Sequence, residues 1–304
     1  MNTPALSKMI ELSMDPEEQV KTVEYLRQNL RTFVRNGDKV LICFPECTVG
    51  SLGDLFSRAV TSCGAVPVFW GPDMRWKSLL QQAFYGHVST VIGMPLMILS
   101  LAKLKKHTGL PLYIRNVVTA GYPCMDWMIE GIQRGLDCTG WGSFGITTSS
   151  VVAGFSCADS LGVHLRDDCY GLDIVDDAGN VLPEGSVGEM VLYPRRDPSL
   201  RYSMGERGRL ESASCSCGCT SPRVMDMYPG KNEDPELVEL GQYLHSWTSV
   251  LDCKLTRGAY GLEIELVVFA GEKLPKLPSA AKQVIRPWDP KHDEPFIYKP
   301  LYLR

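Results

Sequence analysis

Along the first third of the chain, short and almost continuously apolar runs alternate with longer segments of helical periodicity. Residues 39–44 (Lys-Val-Leu-Ile-Cys-Phe) are apolar after the first, and 66–70 (Val-Pro-Val-Phe-Trp), 90–92 (Thr-Val-Ile) and 114–119 follow in the same style. A run without polar alternation fits a strand covered on both faces. The intervening segments place Val20, Val23, Leu26, Leu30, Phe33 and Val34, then Leu52, Leu55, Phe56, Ala59, Val60 and Cys63, on single helical stripes. A further helix is predicted over 95–106. Asn36-Gly37-Asp38 and Gly64 supply the stops. Strand and helix in alternation predict an α/β fold: a parallel sheet flanked by helices on both faces.

Beyond Gly145 the texture changes. Residues 170–175 and 187–193 are strand-like and are joined by a connection rich in turn residues (Asp-Asp-Ala-Gly-Asn), which predicts a hairpin. In the last seventy residues, helical spacing over 235–244 precedes strand candidates at 249–256 and 262–269, a hairpin around Gly258 and Gly261. The tail from Arg286 is rich in proline and charge and reads as extended and surface-bound. The expected organisation is a large domain over 1–230, carrying a β subdomain at about 150–225, and a small C-terminal α+β module over 231–304. A length of 304 residues accommodates both.

A net charge of −4 leaves no basic footprint, which argues against nucleic acid as a partner. No apolar run approaches the roughly 20 residues of a membrane span, and the polar start lacks a secretory core. The eleven cysteines are odd in number and scattered, several in predicted core strands such as Cys43. That is no secreted disulfide framework, and a cytoplasmic protein is expected.

Four of the metal-capable side chains fall in turn-rich stretches: Cys157, His164, Cys215 and Cys217. Thiolates plus one imidazole suit a tetrahedral structural zinc. Gly218 follows the Cys-x-Cys pair and can adopt the backbone conformation a tight turn needs. The alternative is a set of ordinary buried cysteines and a surface histidine. A zinc here would tie the β subdomain to the sheet.

The same stretches carry a resemblance. A Cys-x6-His loop (Cys157 to His164), Arg201-Tyr202-Ser203-Met204-Gly205-Glu206, and Cys215 through Thr220 with Pro222-Arg223 stand in a fixed order. Gly121-Tyr122-Pro123 and Phe144-Gly145-Ile146-Thr147-Thr148 precede them. In this the chain resembles the phenylacetate–coenzyme A ligase family of the adenylate-forming (AMP-binding) enzymes, from about Gly37 to about Asp234. The resemblance implies an ATP-dependent acid–thiol ligase that activates an aromatic or other small carboxylic acid and passes it to coenzyme A. It implies ATP/AMP and Mg²⁺ bound around Gly121, Tyr122, Pro123, Phe144, Gly145, Thr147, Thr148, Arg201, Tyr202 and Glu206. The acyl pocket would sit at the C-terminal edge of the parallel sheet, lined by the Gly121 region, residues 141–145 and Tyr202. Trp141 and Phe144 would be available to stack on an aromatic acid or on adenine.

The chain departs from that pattern in four places. The family's glycine-rich phosphate loop would fall on residues 1–12, which hold no glycine, and the N-terminal part of the family's large domain has no counterpart. Thr148 stands where the family has its Mg²⁺-binding glutamate, and a neutral hydroxyl cannot replace that charge. Tyr122 replaces an acid on the adenine side. Glu206 stands for the ribose-binding aspartate, one methylene longer but still able to accept two hydroxyl hydrogen bonds. A lid lysine has candidates in Lys273, Lys276, Lys282 and Lys299, beyond a hinge expected at 230–234. A second reading is therefore a catalytically degenerate relative that binds a ligand. It would work as a homo-oligomer or with a partner chain supplying the N-terminal lobe, and would expose apolar surface where that lobe packs. A third is a thiol enzyme using Cys124 or Cys47, with Cys124 activated by a helix over 125–134.

Overall fold

The computed structural model describes residues 11, 15–44, 48–71, 73–146, 150–157, 162–230, 234–258 and 261–296. Its first half is the expected alternation: α1 (Pro16–Leu30), β1 (Lys39–Cys43), α2 (Leu52–Ser62), β2 (Val66–Phe69), α3 (Trp76–Tyr85), β3 (Thr90–Gly93), α4 (Pro95–Thr108), β4 (Asn116–Thr119), α5 (Asp126–Leu136) and β5 (Thr139–Ile146). Asp15 and Ser51 cap α1 and α2 by accepting from backbone N–H groups of the first turn. Gly64, at φ +76°, ends the turn after α2.

Strands β1 to β5 pair in parallel in the order β2-β1-β3-β4-β5. Their side chains alternate between two interiors. Leu41, Cys43, Val91 and Val117 face α3, α4 and α5. Val40, Ile42, Ile92 and Val118 face α1 and α2. The continuous apolar runs in the sequence reflect this two-sided burial. β2 is the exception. It is the open edge, with Val66 and Phe69 exposed, so it is not the doubly covered strand expected. Pro67 suits an edge, where a missing N–H breaks no ladder.

The sheet then changes character. β5 pairs antiparallel with β6 (Val151–Phe155), and β7 (Val163–Leu165), β11 (Arg223–Pro229), β10 (Tyr202–Glu211), β9 (Gly188–Pro194) and β8 (Tyr170–Val175) extend it to eleven strands. The predicted hairpin is β8–β9. A third core, built on Phe144, Ala153, Leu165, Tyr170, Met190 and Val224, fills this half. Arg166 joins it to α1: the buried guanidinium donates to Thr22 Oγ1 at 3.0 Å and lies between the rings of Tyr25 and Tyr170.

The C-terminal region forms a separate three-stranded sheet, β12 (Val250–Gly258), β13 (Gly261–Val268) and β14 (Lys282–Pro287), with α6 (Pro235–Ser246) packed on it. The tail is not simply laid on the surface. β14 is a parallel partner of β13, and Trp288 and Phe296 pack against the main core. Asp293 is buried and pairs with Arg286. Proline and charge marked these residues as extended, but burial of their aromatic rings decides their position.

Candidate active site and a thiolate–imidazole cluster

The parallel strands end in a narrow cleft with a cavity volume of about 20 Å³. Gly121, Tyr122 and Pro123 come from the loop after β4, Phe144 and Gly145 from the end of β5. Glu206 and Met204 come from β10, Met190 from β9 and Met227 from β11. This is the crevice at the carboxyl ends of the strands where open α/β sheets bind ligands. Two glycines shape it. Gly121 has φ +101° and allows the loop to pass Met94, whose Cγ would lie 3.1 Å from an added Cβ. At Gly145 a Cβ would fall 1.8 Å from the Val151 carbonyl, so only glycine permits β5 to bulge against β6 there.

Six of the sequence-derived positions thus converge: Gly121, Tyr122, Pro123, Phe144, Gly145 and Glu206. Two others do not line the cleft. Arg201 pairs with Asp173 at 2.7 Å and lies over the Tyr193 ring, and Tyr202 packs against the third core. Thr147 and Thr148 lie outside the described residues, as do Lys299 and Cys47. Trp141 is unavailable for stacking on a ligand. It is buried, stacked on Phe33 at 4.4 Å, with its indole N–H donated to Asn116 Oδ1 at 3.4 Å. Tyr122 has a defined task, since its hydroxyl accepts from Leu96 N–H in the first turn of α4 at 2.9 Å. Burial pushes its phenol well above the ordinary range. Lys273, Lys276 and Lys282 lie elsewhere, the last paired with Glu263.

Sequence reasoning missed Met190, Met204 and Met227. Met204 lay within a quoted motif, but the other two sit on strands with nothing local to mark them. Together with Phe144 they make a polarizable apolar wall, suited to a flat or irregular apolar group. Glu206 is the one charged side chain among the described residues that line the cleft.

The surroundings of Cys124 oppose the thiolate that a nucleophile needs. Despite its place just before α5, desolvation pushes its thiol up to about 12, which leaves almost no thiolate at neutral pH.

A second constellation lies where β6, β7 and the β10–β11 loop meet. The donor atoms of Cys157, His164, Cys215 and Cys217 all lie within 4.8 Å of one another. Cys157 Sγ is 3.6 Å from Cys215 Sγ, and Cys217 Sγ is 3.4 Å from His164 Nε2. A tetrahedral zinc, with bonds near 2.3 Å to sulfur and near 2.0 Å to nitrogen, sets its donors roughly 3.5–3.8 Å apart. The donor set and its spacing therefore fit that ion. His164 Nδ1 stands 3.0 Å from the Ser221 carbonyl, so the ring donates there and keeps the Nε2 lone pair directed at the cysteines. The Cys-x-Cys turn closes by Gly218 N–H donating to the Cys215 carbonyl, with Gly218 at φ +84°. The backbone N–H of Cys217 helps hold the Cys215 thiol down to about 6. None of the ten cysteines among the described residues is in a disulfide.

No protein-family model matches the sequence, and no curated protein does. Solved structures do. A 2-hydroxyisobutyryl-CoA ligase in its postadenylation state, in complex with R3-HIB-AMP, superposes with a TM-score of 0.70 at 13% identity, covering 94% of this chain and 69% of that one. This chain has the fold of the adenylate-forming acyl-CoA ligases. In an open conformation, with 2-HIB-AMP and CoA, that ligase gives a TM-score of 0.62 at 13% identity over 94% of this chain and 70% of its own. A benzoate CoA ligase from Burkholderia xenovorans LB400 shares the fold at 12% identity and a TM-score of 0.57, with 88% of this chain and 62% of that one covered. Among the described residues no helix is long and apolar enough to cross a membrane.

Proposed function

We propose that this chain is a phenylacetate–CoA ligase-like enzyme that activates an aromatic or other small carboxylic acid with ATP and Mg²⁺ and transfers the acyl group to coenzyme A. The observation that carries the reading is the cleft itself. Residues 121–123, 144–145 and 206, from three separate parts of the sequence, meet in one crevice of an acyl-CoA ligase fold. In the first half-reaction a carboxylate oxygen attacks the α-phosphorus of ATP and pyrophosphate leaves. In the second, the thiol of coenzyme A loses its proton and attacks the acyl carbon, and AMP leaves. Glu206 accepts hydrogen bonds from the ribose hydroxyls. Gly121, Tyr122 and Pro123 border the adenine, and the methionine wall with Phe144 holds the apolar part of the acid. A structural zinc on Cys157, His164, Cys215 and Cys217 fixes the loops behind β10 and β11, the strands that carry Glu206, Met204 and Met227.

Calorimetric titration with ATP–Mg²⁺ and with a non-hydrolysable aryl-adenylate analogue tests the site. Both are expected to bind, and Glu206→Ala is expected to weaken the analogue at least about tenfold, through loss of its charge-assisted hydrogen bonds to the ribose. If neither binds to zinc-replete protein, the reading fails. A second reading, a degenerate relative that binds such a ligand without turning it over, draws on the cleft's chemistry. Among the described residues that line it there is no cation to oppose phosphate charge, and the phenol of Tyr122 stands in place of an acid. Analogue binding with no pyrophosphate release across a panel of carboxylic acids would favour it.

A further inference from the structure

The cleft is nearly full. Its cavity of about 20 Å³ has room for about one water molecule, too little for the ring of an aromatic acid. A hollow of about 10 Å³ behind Gly121 and Gly145, against Leu52 and Val152, is smaller still. A ring enters only where part of the wall gives way. Most of that wall is held. Gly121 packs against Met94, and Gly145 against the Val151 carbonyl. Tyr122 is tied to Leu96 N–H. The buried ring of Phe144 lies on the bare face of Gly154, where no Cβ would fit. Met190 is fully buried and packs against Gly208. Leu52 and Val152 are buried as well. Two apolar side chains remain, Met204 and Met227, and both are only half-buried. An unbranched thioether has three rotatable bonds and can change rotamer without moving its strand.

The strands aim both methionines into the crevice. Met204 and Glu206 flank Gly205, which takes φ +81°. Ser203 pairs with Val191 and Arg207 with Glu189, so residues 204–206 of β10 stand opposite Met190 alone. On the other side of β10, Arg207 pairs with Tyr228 and Arg209 with Met225. Asp226 and Met227 therefore share Gly208 as their one partner, with Asp226 at φ +51°. Bulges of this kind re-aim side chains and are common beside active sites. Here two of them, on neighbouring strands, turn two movable side chains toward one cleft.

We propose that Met204 and Met227 are the specificity-determining residues of the cleft: they fill it in the empty protein and swing aside to admit the ring of an aromatic acid. The inference rests on the ligase reading above and narrows its substrate class to aromatic acids. Sulfur is attracted to ring edges, so the displaced thioethers stay in contact with the ring that moved them. An acid without a ring leaves both methionines in place.

A non-hydrolysable benzoyl-adenylate and its acetyl counterpart, titrated calorimetrically beside ATP–Mg²⁺, test the gate. In protein labelled with [methyl-¹³C]methionine, the Met204 and Met227 signals are expected to shift with the benzoyl analogue well beyond any shift with the acetyl one. Met97 and Met128, buried elsewhere, hold with both. Met204→Ile combined with Met227→Ile keeps apolar bulk and suits a strand, but stiffens both side chains at Cβ. It is expected to lower the benzoyl-to-acetyl affinity ratio at least about tenfold, a readout that a general loss of stability does not move. Should that variant fail to fold, the wild-type spectra decide alone. An unchanged ratio, or equal methionine shifts with the two analogues, would overturn the gate. Binding of ATP–Mg²⁺ and the acetyl analogue without the benzoyl one would overturn it too, and leave the ligase reading standing. Binding of none of the three would remove that reading, and the gate with it.

Discussion

Two small β structures are appended to the same parallel body, and they are held in different ways. At one end, β7 is three residues long and meets β11 only through Val163–Val224 and His164–Arg223. A ladder so short contributes little on its own, and it is there that Cys157, His164, Cys215 and Cys217 converge. At the other end, β12 and β13 pair over most of their length and bury Leu251, Val267 and Phe269 against α4. Where apolar area is available, burial holds the unit. Where the strands are too short to supply it, four donor side chains gather instead.

The largest test of that contrast is the metal. Purified protein prepared without chelator is expected to carry about one zinc per chain, and Cys217→Ser to lose it and unfold the region around β7, β10 and β11. Metal analysis with hydrogen exchange reads both, and a metal-free wild type with slow exchange there would break the comparison. At the other end, the buried carboxyl of Asp252 accepts from Phe296 N–H and Cys253 N–H, faces Lys103 and Arg286, and is pushed up to about 7 by desolvation. Its proton is held more tightly folded than unfolded, so stability from this group is fully present below about pH 4 and is lost as pH rises through 7. The loss is on the order of 4 kcal/mol. Urea midpoints between pH 4.5 and 8 are expected to fall in the wild type, and Asp252→Asn to flatten that fall.

Leu251→Ala, which removes a fully buried side chain from the contact with α4, is expected to cost about 3 kcal/mol and to lower the urea midpoint. A cost below ~1 kcal/mol would mean that this contact is loosely packed. The smallest effect is expected at Arg201→Ala, because its pair with Asp173 is half-exposed. A change of about 0.5 kcal/mol in thermal or urea unfolding is anticipated. A much larger one would mean that Arg201 stabilises the hairpin end of the sheet in place of metal ligands.

The legibility of the sequence follows the same division. The parallel half could be read because Leu41, Ile42, Val91 and Val117 are buried whichever face they meet, which leaves an unbroken apolar run. α3 escaped notice although Trp76, Leu79, Leu80 and Ala83 keep helical spacing, because the loop before it carries strong turn residues. β10 (Tyr202–Glu211) shows no alternation. Its polar residues are matched sideways, as where Arg209 meets Asp226 and Glu211 meets Arg223 of β11, and such pairing is invisible along one strand. β14 was hidden by exposed residues and a closing proline. In the cleft, glycines and motif residues were legible because their backbone demands are local. The methionine wall was not, since each methionine reaches the cleft only through the order of the strands. Trp141 misled for a related reason, since an aromatic beside a site looks the same in sequence whether it faces a ligand or Phe33.

β5 divides its length between two neighbours. Residues 139–142 pair with β4, and residues 143–146 pair with β6. The two halves differ in how far the chain must travel to find a partner. Ile146 meets Val151 across a few residues, whereas Thr139 meets Asn116 only after α5 has been laid down. Closing the short loop is entropically cheaper. The β5–β6 hairpin is therefore expected to form early and to present a preformed edge to β4, so that one strand sets the sequence in which the parallel and antiparallel halves assemble.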